Sequence, residues 1–142
     1  MIDAIALSLA LHLPSGERPD RPTQAHIIAT ASHPPARWRL FARCVEHRES
    51  NNQPHVINSS GHMGLFQFSR EWQRGLSFMV AERLREYGMS RANAKTVRQH
   101  LTTTPINHWP AQLQRVGFAA AISIPGNDRH WALAGSTCER FR

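Results

Sequence analysis

Two short stretches hold the residues whose types and spacing could do chemistry. The first ends in Glu49 and Ser50. The second begins eleven residues after Ser50 and runs Gly61, His62, Met63, Gly64, Leu65, Phe66, Gln67, Phe68. Trp38, Phe41 and Val45 recur at three and four residues, so they share one face of a helix. Glu49 lies one turn beyond Val45 and continues that apolar stripe. A carboxyl group drawn to the edge of a core is desolvated, which favours its protonated form. That form is the one needed to protonate a glycosidic oxygen. The two glycines of the second stretch mark a tight turn, and the apolar run after it is broken by a single amide. Folded back beside Glu49, Gln67 would add a hydrogen-bonding group to a floor otherwise too apolar to orient a sugar.

Glu49 and Ser50, then a Ser-Gly-rich stretch, then Gly64, Leu65, Phe66, Gln67 and Phe68, resemble the signature of lysozyme-like lytic transglycosylases and resuscitation-promoting factors. The likeness spans about residues 37–72. Further along, the Trp-containing helices and the His130, Trp131 pair are similar to actinobacterial and phage versions. Where family members often carry alanine in the turn, this chain has His62 and Met63. The resemblance implies a lysozyme-like fold, with Glu49 as catalytic acid closing its helix. It also implies that Ser50, Gly64, Phe66 and Gln67, with His130 and Trp131 on the far wall, bind the substrate. That substrate would be the glycan strand of peptidoglycan, cut between N-acetylmuramic acid and N-acetylglucosamine.

Other residues compete for these roles. Glu46 precedes Glu49 by three residues, so the two are neighbours on the helix surface. Side-by-side carboxylates cannot flank a scissile bond from opposite faces, and Glu46 reads as solvated or salt-bridged. Glu71 and Asp128 remain as candidates for activating water. Trp38, Trp72 and Trp109 fall on helical stripes and read as core. Trp131 follows His130 in a turn-rich region, where an indole could either pack in the core or lie against the C–H face of a sugar. Ser60 and His62 lack the nucleophile elbow that serine catalysis requires. The nine histidines show no metal-ligand spacing, so neither a metal nor another cofactor is expected.

The elements that must position these groups are mainly helical. The first helix spans about residues 36–51, with Leu40 and Cys44 widening its stripe. Residues 52–68 are turn-rich and would supply a small hairpin, which makes the fold class α+β, mostly helical. A second helix follows Ser69 as N-cap, carries Trp72, Leu76, Met79, Val80, Leu84 and Tyr87, and stops at Gly88. A third follows Ser90 and carries Ala94, Val97 and Leu101. The fourth carries Trp109, Leu113, Val116 and Ala120 and stops before Pro125. A short helical turn at residues 129–133 completes the chain. Residues 14–37 hold five of the nine prolines and read as a linker, with a helical turn or two at residues 25–31. The domain boundaries are thus 1–35 for an N-terminal helix and Pro-rich linker, and 36–142 for the lysozyme-like domain.

At 142 residues the chain has room for one domain with a real core. No run approaches the ~18 apolar residues of a membrane span. Residues 1–13 are apolar, yet Asp3 stands where a signal peptide needs positive charge. Delivery to the wall would then come by release at lysis or on a phage virion. The net charge of +7 comes almost wholly from arginine. It favours polyanions, either an anionic cell wall or nucleic acid. Its spread in ones and twos fits a generally basic face better than a DNA-reading element. Cys44 and Cys138 lie 94 positions apart. They are either buried free thiols or, in an oxidising setting, a disulfide tying the tail to the catalytic helix. Resuscitation-promoting factors are also disulfide-bridged.

The resulting expectation is a peptidoglycan lytic transglycosylase using one acid, Glu49. The alternatives are a hydrolytic muramidase and a non-catalytic basic virion or structural protein with a lysozyme-like module.

Overall fold

The structure is a computed structural model, and it describes residues 22–132 and 137–142. Five α-helices lie in this part: α1 (Gln24–Ala31), α2 (Arg39–Ser50), α3 (Trp72–Glu86), α4 (Arg91–Thr103) and α5 (Ala111–Ile122). Single 3-10 turns sit at Ala36–Trp38, Ile106–His108, Asn127–His130 and Glu139–Phe141. Helix α5 is the centre. Leu113, Val116, Phe118, Ala119, Ala121 and Ile122 point around most of its circumference and are all buried, the pattern of a helix enclosed by its neighbours. Helices α3 and α1 pack on it, and α4 packs on α3. Gly117 lets α3 approach closely, since a Cβ there would stand 3.2 Å from Leu76 Cγ.

Helix α2 takes the expected form. Phe41 and Val45 are fully buried and Trp38 nearly so, and Asn51 closes the helix in the left-handed conformation. Leu40 departs from expectation, being 59% exposed; it points away from the Phe41, Val45 face. Helix α4 begins as read, with the Ser90 hydroxyl accepting from Asn93 N at 3.2 Å. Helix α3 starts later than read, at Trp72. Residues 70–71 form a turn instead, and Ser69 accepts the Trp72 N–H through its backbone carbonyl at 3.1 Å. Tyr87, expected on the buried face, is exposed and lies against the Arg83 guanidinium, 5.0 Å from its ring. Trp109 precedes α5 and is buried, its indole N–H donating to Thr104 O at 2.7 Å.

The expected linker contains part of the core. Ile27 and Ala31 of α1 belong to the same hydrophobic cluster as Phe41 and Leu84. Arg83, itself buried, donates to the carbonyls of Ala31 at 2.7 Å and His33 at 2.8 Å. The expected helix at residues 1–13 lies outside the described residues.

The expected hairpin is reduced to two isolated bridges, Ile57 with Met63 and Met63 with Phe68. Positive φ at Asn51, Asn52, Gly61, Gly64 and Gln67 turns the backbone too often for a ladder to extend. The described fold is therefore mostly helical, and the β part of the expected α+β class is not sustained. The loop is ordered instead by Gln114 of α5, which is wholly buried. Its Oε1 accepts from Leu65 N at 2.8 Å, and its Nε2 donates to Pro54 O at 3.0 Å and Trp109 O at 2.9 Å. One amide thus satisfies three backbone groups that would otherwise be orphaned in the interior.

Candidate active site

Glu49 occupies the last turn of α2, with its side chain 24% exposed. It lines a largely aromatic cleft, but its carboxylate is also held by an arginine. Its Oε1 accepts from Arg48 Nε at 3.1 Å and also from Arg48 Nη2. The same Nη2 donates to the backbone carbonyl of Trp131 at 2.9 Å. This second contact draws the arginine across the helix end and over its neighbour.

Trp131 is 5% exposed, and its indole N–H donates to Phe66 O at 2.9 Å. Its ring meets Phe68 edge-on at 5.6 Å and Phe118 at 4.7 Å. Trp72 lies 4.8 Å from the His130 ring. Beneath them Phe66 stacks on Phe118 at 4.2 Å. A row of aromatic rings therefore faces the end of α2, and the space between is a cleft of ≈ 570 Å³. Glu49, Phe66, Gln67, His130 and Trp131 all line it.

Gln67 reaches the cleft through a strained turn. Gly64 and Gln67 both have positive φ, at 79° and 52°, and Met63 and Phe68 exchange backbone hydrogen bonds across them at 2.8 and 3.0 Å. The Gln67 amide donates to Gly64 O at 3.0 Å, which fixes its plane and leaves its oxygen to accept from a ligand hydroxyl. A non-glycine residue in the left-handed region is held there by surrounding structure.

Two of the expected site residues lie elsewhere. Ser50 is buried and turns its hydroxyl back to Glu46 O at 2.9 Å. Gly64 is buried beneath the turn, where a Cβ would stand 2.3 Å from Gln114 Oε1. Both shape the site without lining it. Glu46 is salt-bridged, as its place on the helix suggested: Arg115 binds both its oxygens, at 2.7 and 3.1 Å. The hydrogen bond to Glu46 raises the Arg115 pKa above its ordinary value; burial opposes this, and the attraction of the two charges adds to it. Asp128 pairs with Arg142 at 2.5 and 2.9 Å and does not line the cleft. Glu71 does line it, with Asn58, His62, Ser69 and Trp72. Among these, Asn58 carried no signal in the sequence. Its side chain accepts from the backbone N–H groups of Ser60 and His62, both at 2.9 Å, a local turn motif that any Asn in a loop could make.

No family model, curated protein or solved structure matches this chain.

Cys44 and Cys138 form a disulfide, with Cα atoms 5.4 Å apart. The bond ties residues 137–142 to α2, five residues before Glu49. Arg142 in turn holds Asp128, in the turn that leads into His130 and Trp131. The aromatic wall is thus anchored to the carboxylate-bearing helix by Arg48 on one side and by the tail on the other. Among the described residues, no group of three or more His, Cys, Asp or Glu is arranged to hold a metal ion. No helix among them is long and apolar enough to cross a membrane.

Proposed function

We propose that this chain is a lysozyme-like enzyme that cleaves the glycan strands of peptidoglycan, with Glu49 as its single acid. One observation carries the reading: a carboxylate at the end of a helix faces a wall of aromatic rings across an open cleft. Phe66, Phe68 and Trp131 are almost wholly buried and back the cleft. Half-buried Trp72 and exposed His130 are the rings that can pack on the C–H face of a sugar, and the Gln67 amide oxygen suits its hydroxyls. In the reaction, Glu49 gives its proton to the oxygen linking N-acetylmuramic acid to N-acetylglucosamine, and the C1–O bond breaks. The muramyl 6-hydroxyl attacks C1, its proton passes to Glu49, and a 1,6-anhydro ring closes. The acid is restored without water. Arg48 must release the carboxylate for Glu49 to carry a proton, and its second partner, the Trp131 carbonyl, gives the guanidinium a place to remain.

The second reading is a hydrolytic muramidase, and Glu71 favours it. A second carboxylate in the same cleft could activate water for attack at C1. A non-catalytic basic module that contacts a virion component or nucleic acid is the reading outside enzymology, motivated by the net charge of +7. The disulfide suits an oxidising compartment and hence a wall-facing setting, reached on a phage virion or by release at lysis. Incubation with purified sacculi, followed by mass analysis of the released muropeptides, separates the three. Anhydro ends support the transglycosylase, reducing ends the muramidase, and no release at all the non-catalytic module.

A further inference from the structure

A second pocket, of ≈ 330 Å³, opens between α1, α2 and α5. Arg39, Arg43 and Glu46 of α2, Arg115 of α5 and His33 of the α1–α2 connection line it. We propose that this pocket is an anion site that takes a phosphate group. Phe66 lines both cavities, but neither Glu49 nor Trp131 lines this one, so the proposal does not depend on glycan cleavage.

Charge is the first reason. Among the described residues, the one carboxylate lining the pocket, Glu46, is neutralised by the two-pronged contact from Arg115. Arg39 and Arg43 are four residues apart and so lie on the same face of α2. Both are exposed, and among the described residues neither is paired with a carboxylate. Two open guanidinium forks over one pocket match the oxygens of a phosphate, which accepts paired N–H bonds from arginine.

The second reason is that the pocket is built. Its floor is the stacked Phe66, Phe118 pair, both rings buried, so an anion above it meets little competing solvent from below. Its rim is the end of α1, whose negative pole would repel an anion if its carbonyls were bare. None is bare. Ile28 O accepts from Ser32 N at 3.0 Å, and Thr30 O from His33 N at 3.3 Å. Ala29 O accepts from Ser32 Oγ at 2.6 Å, and Ala31 O from Arg83 Nε at 2.7 Å. Arg83 also grips His33 O at 2.8 Å, which sets the rim in place before any ligand arrives.

Free phosphate and a phosphodiester along a polyol chain share this chemistry. The test is an NMR titration of the full, disulfide-bonded chain with inorganic phosphate, with a short poly(glycerol phosphate), and with acetate, all at matched ionic strength. Saturable shifts of the Arg39 and Arg43 Nε–H signals and the His33 amide are expected with phosphate. Acetate should bind at least tenfold more weakly. Arg39→Gln and Arg43→Gln should each weaken phosphate binding about tenfold, the worth of one charge-assisted hydrogen bond. Both side chains are exposed, so the variants should melt with the parent. Binding of the polymer at least as tightly as the ion identifies a phosphodiester chain as the source, and binding of the ion alone identifies the small anion. Shifts that track ionic strength only, equal affinity for acetate, or undiminished binding in the double variant would overturn the proposal.

Discussion

Trp131 donates its indole N–H to the carbonyl oxygen of Phe66 at 2.9 Å, across 65 positions of sequence. Its own carbonyl accepts from Arg48, the residue that grips Glu49. One residue therefore joins the carboxylate-bearing helix to the turn that presents Gln67. Trp131→Phe keeps an aromatic ring against Phe68 and Phe118 but leaves a buried carbonyl unpaired. The expected cost is about 1–3 kcal/mol of stability, read as a lower urea midpoint with unchanged slope. An unchanged midpoint would mean that the bond contributes nothing.

Reduction should loosen the same wall from the other side. The Cys44–Cys138 bond closes a loop spanning 94 positions, worth about 4–5 kcal/mol in the chain-entropy model. Oxidised protein is expected to melt well above reduced protein or Cys138→Ser. Substrate binding should fall further than turnover, because the bond positions the wall and takes no part in chemistry. Equal melting temperatures with and without reductant would remove the disulfide from the account of stability.

Gly64→Ala is expected to be among the most damaging of small substitutions. The backbone there has φ 79°, and the new methyl would meet Gln114 Oε1 at 2.3 Å. Left-handed strain and overpacking together should cost about 2–4 kcal/mol. The partner is also the amide that holds Leu65, Pro54 and Trp109, so the whole loop should lose protection. Hydrogen exchange at the Leu65 amide is the direct readout, and unaltered protection would show that the loop is held by something else.

The parts legible in the sequence were those whose signal is local. The Trp38, Phe41, Val45 stripe, the Ser90 cap and the Gly88 stop each depend on residues within one or two turns. Helix α1 was not legible as core, because eight residues between prolines look like a linker until α3 and α5 supply the surface that buries Ile27 and Ala31. Gln114 is one of three polar residues in α5, beside Gln112 and Arg115, and nothing local singles it out; its role exists only once residues 54–65 fold back over it. The grip of Arg48 on Glu49 was hidden for the same reason. Adjacent helix residues do not face each other, and here a carbonyl 83 positions away pulls the arginine across.

Glu71 offers the sharpest division between the two catalytic readings. In single-acid ring closure Glu71 only shapes the cleft, so Glu71→Gln should change the rate by less than about tenfold. A water-activating base would be worth about 10²–10⁴. The rate of muropeptide release by the variant decides between them.

The most direct measurement is the rate of glycan cleavage from sacculi by folded, disulfide-bonded Glu49→Gln, set beside Glu46→Gln. Loss of the one proton donor should lower the rate by about two to four orders of magnitude, with the melting temperature near that of the parent. Glu46→Gln should cleave at a rate close to the parent's, since its carboxylate is occupied by Arg115. An active Glu49 variant beside an inactive Glu46 variant would contradict the assignment of the acid.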